Sequence, residues 1–148
     1  MTDVEAVPQV LIRQFCFPND YPEVYQLWSN AGTGIHLRRS DEVGEIEEKL
    51  QRDPDLFLVA EVGGKIVGCV LGGFDGRRGL IYHLAVKETY RHHGIATGLL
   101  DTLENRLQKK GCIRYYLLVI IDNDEAIQFY EKRGWNRLSL YVYGKDLI

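Results

Sequence analysis

The sequence predicts an α/β domain (α+β in some classifications) built on a mixed, mostly antiparallel sheet with a central parallel strand pair and helices on both faces. Residues 80–121 have the pattern of a strand, a helix and a second strand, and this kind of crossover joins parallel neighbours. Apolar runs before and after this unit are separated by short turns, which is typical of antiparallel strands. The predicted order of elements is βααβββαβαββ.

The first strand and the first helix are predicted within residues 10–28. Residues 10–17 alternate apolar and polar side chains, as a strand at a sheet edge does. Asp20 can cap the helix that follows, and Ala31-Gly32-Thr33-Gly34 ends it. The predicted buried face of this helix consists of Tyr21, Val24, Tyr25 and Trp28.

A second helix and a β-hairpin come next. Ser40 is predicted to cap the helix, and residues 53–55 end it. Residues 56–62 and 65–74 are rich in strand-forming side chains and are joined by Gly63-Gly64, which predicts the hairpin. The buried stripe of the helix is expected to contain Val43, Ile46 and Leu50.

The central strand is predicted at residues 80–86, and the apolar period then changes to that of a helix that Gly111 can end. The buried face of this helix is expected to contain Ala96, Leu99, Leu100, Leu103 and Leu107. The remaining predicted elements are a strand over residues 113–121, a helix over 124–133 and a strand pair over 135–140 and 141–147.

Size and composition indicate one domain over residues 1–148, because 45% hydrophobic and 26% charged residues are ordinary for a globular protein. A net charge of −3 gives no reason to expect a nucleic-acid partner. No apolar run approaches a membrane span, and residues 1–10 lack the apolar core of a signal peptide, so we expect a cytoplasmic protein without a membrane partner. Three dispersed cysteines predict buried thiols rather than a disulfide framework or a zinc site.

The turn after the central strand is suited to hold a phosphate group. It carries Arg91, Gly94 and the small Ala96 where the helix begins. Backbone N–H groups are unpaired at a helix start and the helix dipole is positive there, so an anion can be held. The alternative is an ordinary helix start in which glycine only assists packing.

Two motifs stand out in the second half of the chain. The first is Arg91-x-x-Gly94-x-Ala96, which follows a strand ending in Leu84-Ala85-Val86. The second is Asn123-x-x-Ala126-x-x-Phe129-Tyr130-Glu131-Lys132-x-Gly134-Trp135. Together they resemble the pyrophosphate-binding signature and the closing motif of the GNAT superfamily of acyl-CoA-dependent N-acetyltransferases. The resemblance covers nearly the whole chain and implies the same mixed fold.

The resemblance implies acetyl-CoA as the co-substrate and no metal. By position, the strand edge at Leu84, Ala85 and Val86 would pair with the pantetheine arm, and the Leu84 N–H would polarise the acetyl carbonyl. Asn123 would hydrogen-bond the arm, and a helix N-cap is an alternative of nearly equal weight. The residues that would hold the pyrophosphate are Arg91, His92, His93, Gly94, Ile95, Ala96 and Thr97.

Tyr130 is the candidate general acid, because a phenol with an ordinary pKa of about 10 is protonated at neutral pH and can donate to a leaving thiolate. Its alternative role is aromatic packing. The general base stays open: relatives place it on the central strand, where this chain has Leu80 and Tyr82. His83 is adjacent, but strand alternation predicts that it points to the opposite face. The remaining candidates for the base are Glu61, Asp122, His36 and a water molecule.

In relatives, the connection between the first two helices lines the acceptor pocket. Here that connection covers residues 32–40, and the predicted acceptor-binding residues are His36, Arg38, Arg39 and Tyr82. The positive charge of the connection favours an acceptor with a carboxylate or a phosphate near its amine, and a solvated basic loop is the alternative. The acceptor class is a small-molecule amine or a peptide or protein amine.

The predicted function is transfer of an acetyl group from acetyl-CoA to a primary amine by direct attack in a ternary complex. No cysteine lies in either motif, which disfavours a covalent cysteine intermediate. Two different functions are also compatible with the sequence: a catalytically silent acyl-CoA-binding sensor or interaction module, and an α/β domain without a cofactor. A homodimer is compatible with the sequence as well.

Overall fold

The computed structural model describes residues 9–148, so residues 1–8, most of the segment considered for a signal peptide, lie outside the described part. The chain forms two compact units, one that ends at Leu118 and a second that covers Val119–Ile148. The assignment of one domain to the whole chain stays a prediction. Within residues 9–148, no helix combines the length and the apolar character needed to cross a membrane.

The first unit contains a five-stranded sheet in the spatial order β1-β2-β3-β4-β5. Its strands are β1 (Leu11–Gln14), β2 (Phe57–Val62), β3 (Lys65–Phe74), β4 (Gly79–Val86) and β5 (Tyr115–Leu117). The pairs from β1 to β4 are antiparallel, and β4 and β5 are parallel, with Gly79 opposite Tyr115. The mixed sheet and the β2–β3 hairpin are therefore confirmed.

The α-helices are α1 (Tyr21–Ser29), α2 (Val43–Arg52), α3 (Ile95–Lys109) and, in the second unit, α4 (Asp124–Lys132). In the first unit, α1 and α2 pack on one face of the sheet, where Trp28 stacks on Phe57 at 5.9 Å between ring centroids and joins a buried cluster with Ile46 and Leu71. Because side chains alternate along β3, Gly72 lies on the opposite face, against α3.

The close approach of α3 depends on glycine in β3. A Cβ atom at Gly72 would lie 2.7 Å from Leu103 Cδ1 and 3.3 Å from the Leu56 carbonyl oxygen. Leu103 and Leu56 are both fully buried, so neither can move aside into solvent. The small residue therefore sets the distance between α3 and the sheet.

Gly72→Val is expected to lower the free energy of unfolding by about 1–3 kcal/mol, because overpacking a buried site displaces its neighbours. Gly44→Val is the matched control, since a Cβ at the exposed Gly44 of α2 meets no atom within 4 Å. That change should alter stability by less than about 0.5 kcal/mol. Urea unfolding measures both, and equal losses would contradict this account of the packing.

Several predicted helix positions differ in the structure. The buried residues of α1 are Val24, Leu27 and Trp28, while Tyr25 is 40% exposed. Val43 is 48% exposed because it begins α2, before the helix reaches the core at Ile46. Ser40 is not the cap of α2, because the N-cap residue is Glu42. In α3, Ile95 is buried in place of Ala96. Of the three cysteines, Cys69 and Cys112 are buried and Cys16 is exposed.

The predicted strands after α3 are mostly wrong. Of residues 113–121, only Tyr115–Leu117 pairs with β4, and Ile113 is 95% exposed. Residues 135–140 and 141–147 form no strand, and Tyr141 is 90% exposed. An apolar, strand-forming composition is insufficient by itself, because a strand also needs a neighbouring strand for its backbone hydrogen bonds.

Candidate active site

The start of α3 offers backbone N–H groups to a ligand. Gly94 is the N-cap residue, with φ of 79°, and no side chain caps the helix. The Gly98 N–H donates to the Gly94 carbonyl at 3.0 Å and is the first intrahelical donor, so the N–H groups of Ile95 and Ala96, which precede it, have no acceptor within the helix. A left-handed glycine at the positive end of a 15-residue helix is a suitable place for a phosphate.

The loop before α3 is anchored to the end of β4. The Arg91 Nε donates to the Val86 carbonyl oxygen at 3.2 Å. His92 has φ of 66°, so this residue and Gly94 both bend the chain through the left-handed region. His92, His93 and Gly94 are exposed, and a Cβ at Gly94 would meet nothing within 4 Å. The open, basic loop therefore fits a pyrophosphate group.

The outer edge of β4 is open beyond Ile81. β5 pairs with Gly79, Leu80 and Ile81, and within residues 9–148 no strand of the sheet continues that edge along residues 82–86. On the other edge, the Lys87 N–H donates to the Val67 carbonyl at 2.8 Å. Because N–H groups alternate along a strand, those of Leu84 and Val86 point to the open edge, where an extended ligand can pair.

A β-bulge in β4 changes which side chains share a face. Leu71 pairs with His83 and Gly72 pairs with Ile81, so Tyr82 is an extra residue in the strand. The Tyr82 ring lies over Gly73, and its neighbour His83 contacts Trp28, so both side chains are on the face of α1 and α2. The prediction that alternation turns His83 to the opposite face is therefore wrong.

His83 joins the central strand to the connection between α1 and α2. Its Nε2 lies 2.8 Å from Oδ1 of Asp41, which follows the basic residues of that connection in a short 3₁₀ helix. The second carboxylate oxygen accepts the Arg38 backbone N–H at 3.0 Å. Burial pushes the pKa of Asp41 upward, but the hydrogen bonds from His83 and Arg38 hold it below the ordinary value.

The sequence did not indicate the pair of His83 and Asp41. The two residues are 42 positions apart, and no local pattern joins them. Of the predicted acceptor residues, His36, Arg38 and Arg39 are exposed on the connection, and Tyr82 is exposed on β4. Among the candidates for the base, Glu61 is engaged by Arg13 at 3.3 Å.

In the second unit, Asn123 caps α4, and its side-chain oxygen accepts the Ala126 N–H at 3.2 Å. Asn123 therefore serves as a helix N-cap. The Tyr130 ring packs edge-on against Phe129 at 5.2 Å and against Trp135 at 5.7 Å. Burial raises the pKa of Tyr130 to about 12, so the phenol keeps its proton at neutral pH.

Comparison with known families decides the assignment of the chain. The model of the acetyltransferase (GNAT) family matches residues 21–135, which is well over half of the sequence. The chain belongs to the GNAT acetyltransferase family. It is therefore an acetyl-CoA-dependent acetyltransferase, and the loop before α3 and the edge of β4 lie within the matched GNAT region.

Similar proteins agree with the GNAT assignment. An acetyltransferase of Pectobacterium atrosepticum is 44% identical over 131 residues, which cover 88% of this chain and 91% of that protein. Ard1 from Thermoplasma volcanium has a TM-score of 0.74 at 29% identity, covering 84% and 81% of the two chains. A chain of the NatC complex, solved with a Gag peptide and CoA, has the same fold, with a TM-score of 0.75 at 23% identity and coverage of 88% and 87%.

The described residues of this GNAT protein contain no group of three or more His, Cys, Asp or Glu side chains that could hold a metal ion. His92 and His93 are neighbours in the exposed loop, where they add polar groups beside the α3 start.

Proposed function

We propose that this GNAT protein transfers the acetyl group of acetyl-CoA to a primary amine by direct attack in a ternary complex. The observation that carries the proposal is the open edge of β4 beside the uncapped start of α3. The open edge of β4 can pair with an extended pantetheine arm, and the start of α3 can hold a pyrophosphate. Both are formed by residues that match the first GNAT motif.

The proposed contacts with acetyl-CoA follow this arrangement. Residues 91–97 hold the pyrophosphate, and Leu84, Ala85 and Val86 pair with the pantetheine arm. The Leu84 N–H polarises the acetyl carbonyl, because a fixed donor stabilises the charge that develops on that oxygen. Asn123 is proposed to contact the arm through its amide nitrogen, since its oxygen already caps α4.

Direct attack is favoured by the state of the cysteines. Cys69 and Cys112 are buried, and burial raises the pKa of the Cys69 thiol to about 12. A buried thiol with such a pKa supplies almost no thiolate at neutral pH, so it is a poor nucleophile. The exposed Cys16 belongs to neither motif. Tyr130 is the proposed acid that protonates the departing thiolate of CoA.

The proposed acceptor is a primary amine on a small molecule or on a peptide or protein. The GNAT chain of the NatC complex was solved with both a peptide and CoA, which supports this class at the level of the fold. In this chain, the exposed Arg38 and Arg39 add positive charge to the acceptor face. That charge favours a carboxylate or a phosphate near the amine.

Arg38→Ala combined with Arg39→Ala is expected to raise the acceptor KM about three- to tenfold, because exposed ionic contacts contribute roughly 0.2–1 kcal/mol each. Binding of acetyl-CoA should change by less than about twofold, since these side chains lie outside the GNAT cofactor motif. Arg77→Ala with Arg78→Ala removes two exposed charges from another loop and should leave the acceptor KM unchanged. An equal loss of affinity for both substrates would argue against the assignment.

The experiment that tests the function is a screen for acetyl-CoA-dependent thiol release with amino acids, polyamines, small amines and peptides with free N-termini. We expect at least one class to release CoA thiol together with an N-acetylated product detected by mass spectrometry. Binding of acetyl-CoA without release in any class would favour the silent sensor. Product acetylated on oxygen or sulfur would contradict transfer to an amine.

A further inference from the structure

We propose that His83, oriented by Asp41, accepts the proton that the ammonium group of the acceptor must lose before it attacks acetyl-CoA. The inference rests on the proposed transfer to an amine, and it supplies the general base that the sequence left open. Asp41 is a positioning residue in this scheme, whereas His83 contacts the acceptor. Four features of the structure support the assignment.

The first feature is the orientation of the ring. The bulge at Tyr82 places His83 on the face of the sheet that carries the connection between α1 and α2, which we propose as the acceptor side. Trp28 packs edge-on against the imidazole at 5.0 Å between centroids, with 61° between the ring planes. Asp41 holds Nε2 at 2.8 Å, so the ring is fixed by one aromatic and one ionic neighbour.

The second feature is an available nitrogen. When Nε2–H donates to Asp41, the neutral imidazole keeps its lone pair on Nδ1. Within residues 9–148, the only hydrogen bond of this imidazole is the one that Nε2 makes with Asp41. The His83 side chain is 15% exposed while that of Asp41 is 8% exposed, so the histidine is the member of the pair that solvent can reach.

The third feature is the position of His83 beside Leu84. One peptide bond joins the two residues, so the imidazole lies on the order of 5 Å from the Leu84 N–H that is proposed to bind the acetyl oxygen. An amine that approaches the acetyl carbon from this face reaches Nδ1 directly or through one water molecule. A general base needs hydrogen-bond reach of the proton it removes, directly or through one water, and a separation of this size allows it.

The fourth feature is the environment of the pair. Trp28 of α1 packs against the His83 ring, and Leu71 of β3 is the residue paired with His83 in the sheet. Both side chains are uncharged. The Tyr21 hydroxyl donates to the Asp41 carbonyl at 2.9 Å, and the Arg38 N–H donates to the carboxylate. These bonds hold the carboxylate in place, so it can stabilise the imidazolium that forms.

The proton balance of the step is complete. The ammonium gives one proton to Nδ1 and becomes a neutral amine, whose lone pair forms the N–C bond to the acetyl carbon. The C–S bond breaks with its electron pair on sulfur, and the second nitrogen proton reaches that sulfur through the Tyr130 phenol or water. The third proton stays on the amide product, and the imidazolium returns its proton to solvent.

The test compares two acceptors in each variant. The first acceptor is the amine that the natural protein acetylates fastest in the screen described above. The second is the aminooxy analogue of that amine, which is neutral at pH 7. If the amine is a peptide N-terminus, the analogue is the aminooxyacetyl peptide. His83→Gln and His83→Asn keep a donor for Asp41 but remove the base. Each should lower kcat/KM at least about tenfold with the amine and less than about threefold with the aminooxy analogue.

Asp41→Asn should cause a smaller loss with the same preference for the aminooxy acceptor. Asp20→Asn is the matched control, because Asp20 is as buried as Asp41 but pairs with Arg13; it should leave the ratio of the two activities unchanged. Equal losses with both acceptors, or normal turnover of the amine by either His83 variant, would overturn the role of His83 as the base and leave the proposed function standing. Failure of the natural protein to acetylate any amine would overturn the proposed function as well.

Discussion

Gly94→Glu is expected to abolish binding of acetyl-CoA and CoA, with a rise in Kd of more than about a hundredfold, which corresponds to about 2.7 kcal/mol. Gly94 has φ of 79° at the start of α3, and a side chain there would occupy the open space in front of the N–H groups of Ile95 and Ala96. Glutamate also places a negative charge where a pyrophosphate must approach. Steric exclusion and charge repulsion therefore act in the same direction.

Calorimetry in the presence of EDTA measures this effect and tests whether the natural protein binds without a metal. Gly111→Glu is the matched control, because Gly111 is also exposed, has φ of 91° and follows the opposite end of α3. The two ends of a helix of 15 residues are about 22 Å apart. Gly111→Glu should therefore change Kd by less than about threefold. Tight binding by Gly94→Glu would exclude this helix start from the pyrophosphate site.

Tyr130→Phe is expected to lower kcat at least about tenfold, because general acid catalysis contributes roughly 10²–10⁴-fold and water can replace part of it. Phenylalanine keeps the ring contacts with Phe129 and Trp135 and removes only the hydroxyl. The Kd for acetyl-CoA should change by less than about threefold, since the hydroxyl acts mainly when the thiolate develops.

The pH dependence adds a second expectation for Tyr130. An acid acts in its protonated form, so its contribution is present below its pKa and is lost as the pH rises through that value. Because burial raises the pKa of Tyr130 to about 12, the loss in Tyr130→Phe should be constant across neutral pH. Tyr116→Phe, which removes another phenol from a strand, is the control and should retain kcat. Normal chemistry-limited turnover by Tyr130→Phe would assign this residue to packing.

The elements that could be predicted from the sequence are those whose signal is local. The β2–β3 hairpin, α3 and the Gly94 turn each depend on residues that are close together in the chain, such as a glycine pair between two apolar runs. The GNAT motifs are local as well, which explains why the family could be identified from the sequence. Helix faces were less predictable, since Tyr25 and Leu27 flank the stripe of Val24 and Trp28 on opposite sides and only the folded chain shows that Leu27 is the buried one.

The amino-acid sequence was sufficient for the family, the mixed sheet and the position of the turn that we propose to hold a phosphate, because propensity, periodicity and motif spacing act over a few residues. Only the folded chain decided the bulge at Tyr82, the face of His83 and its bond to Asp41, 42 residues away. It also decided that residues 135–148 form no strand. Each of these depends on a partner distant in sequence, and the free energy of such a contact is absent from any local pattern.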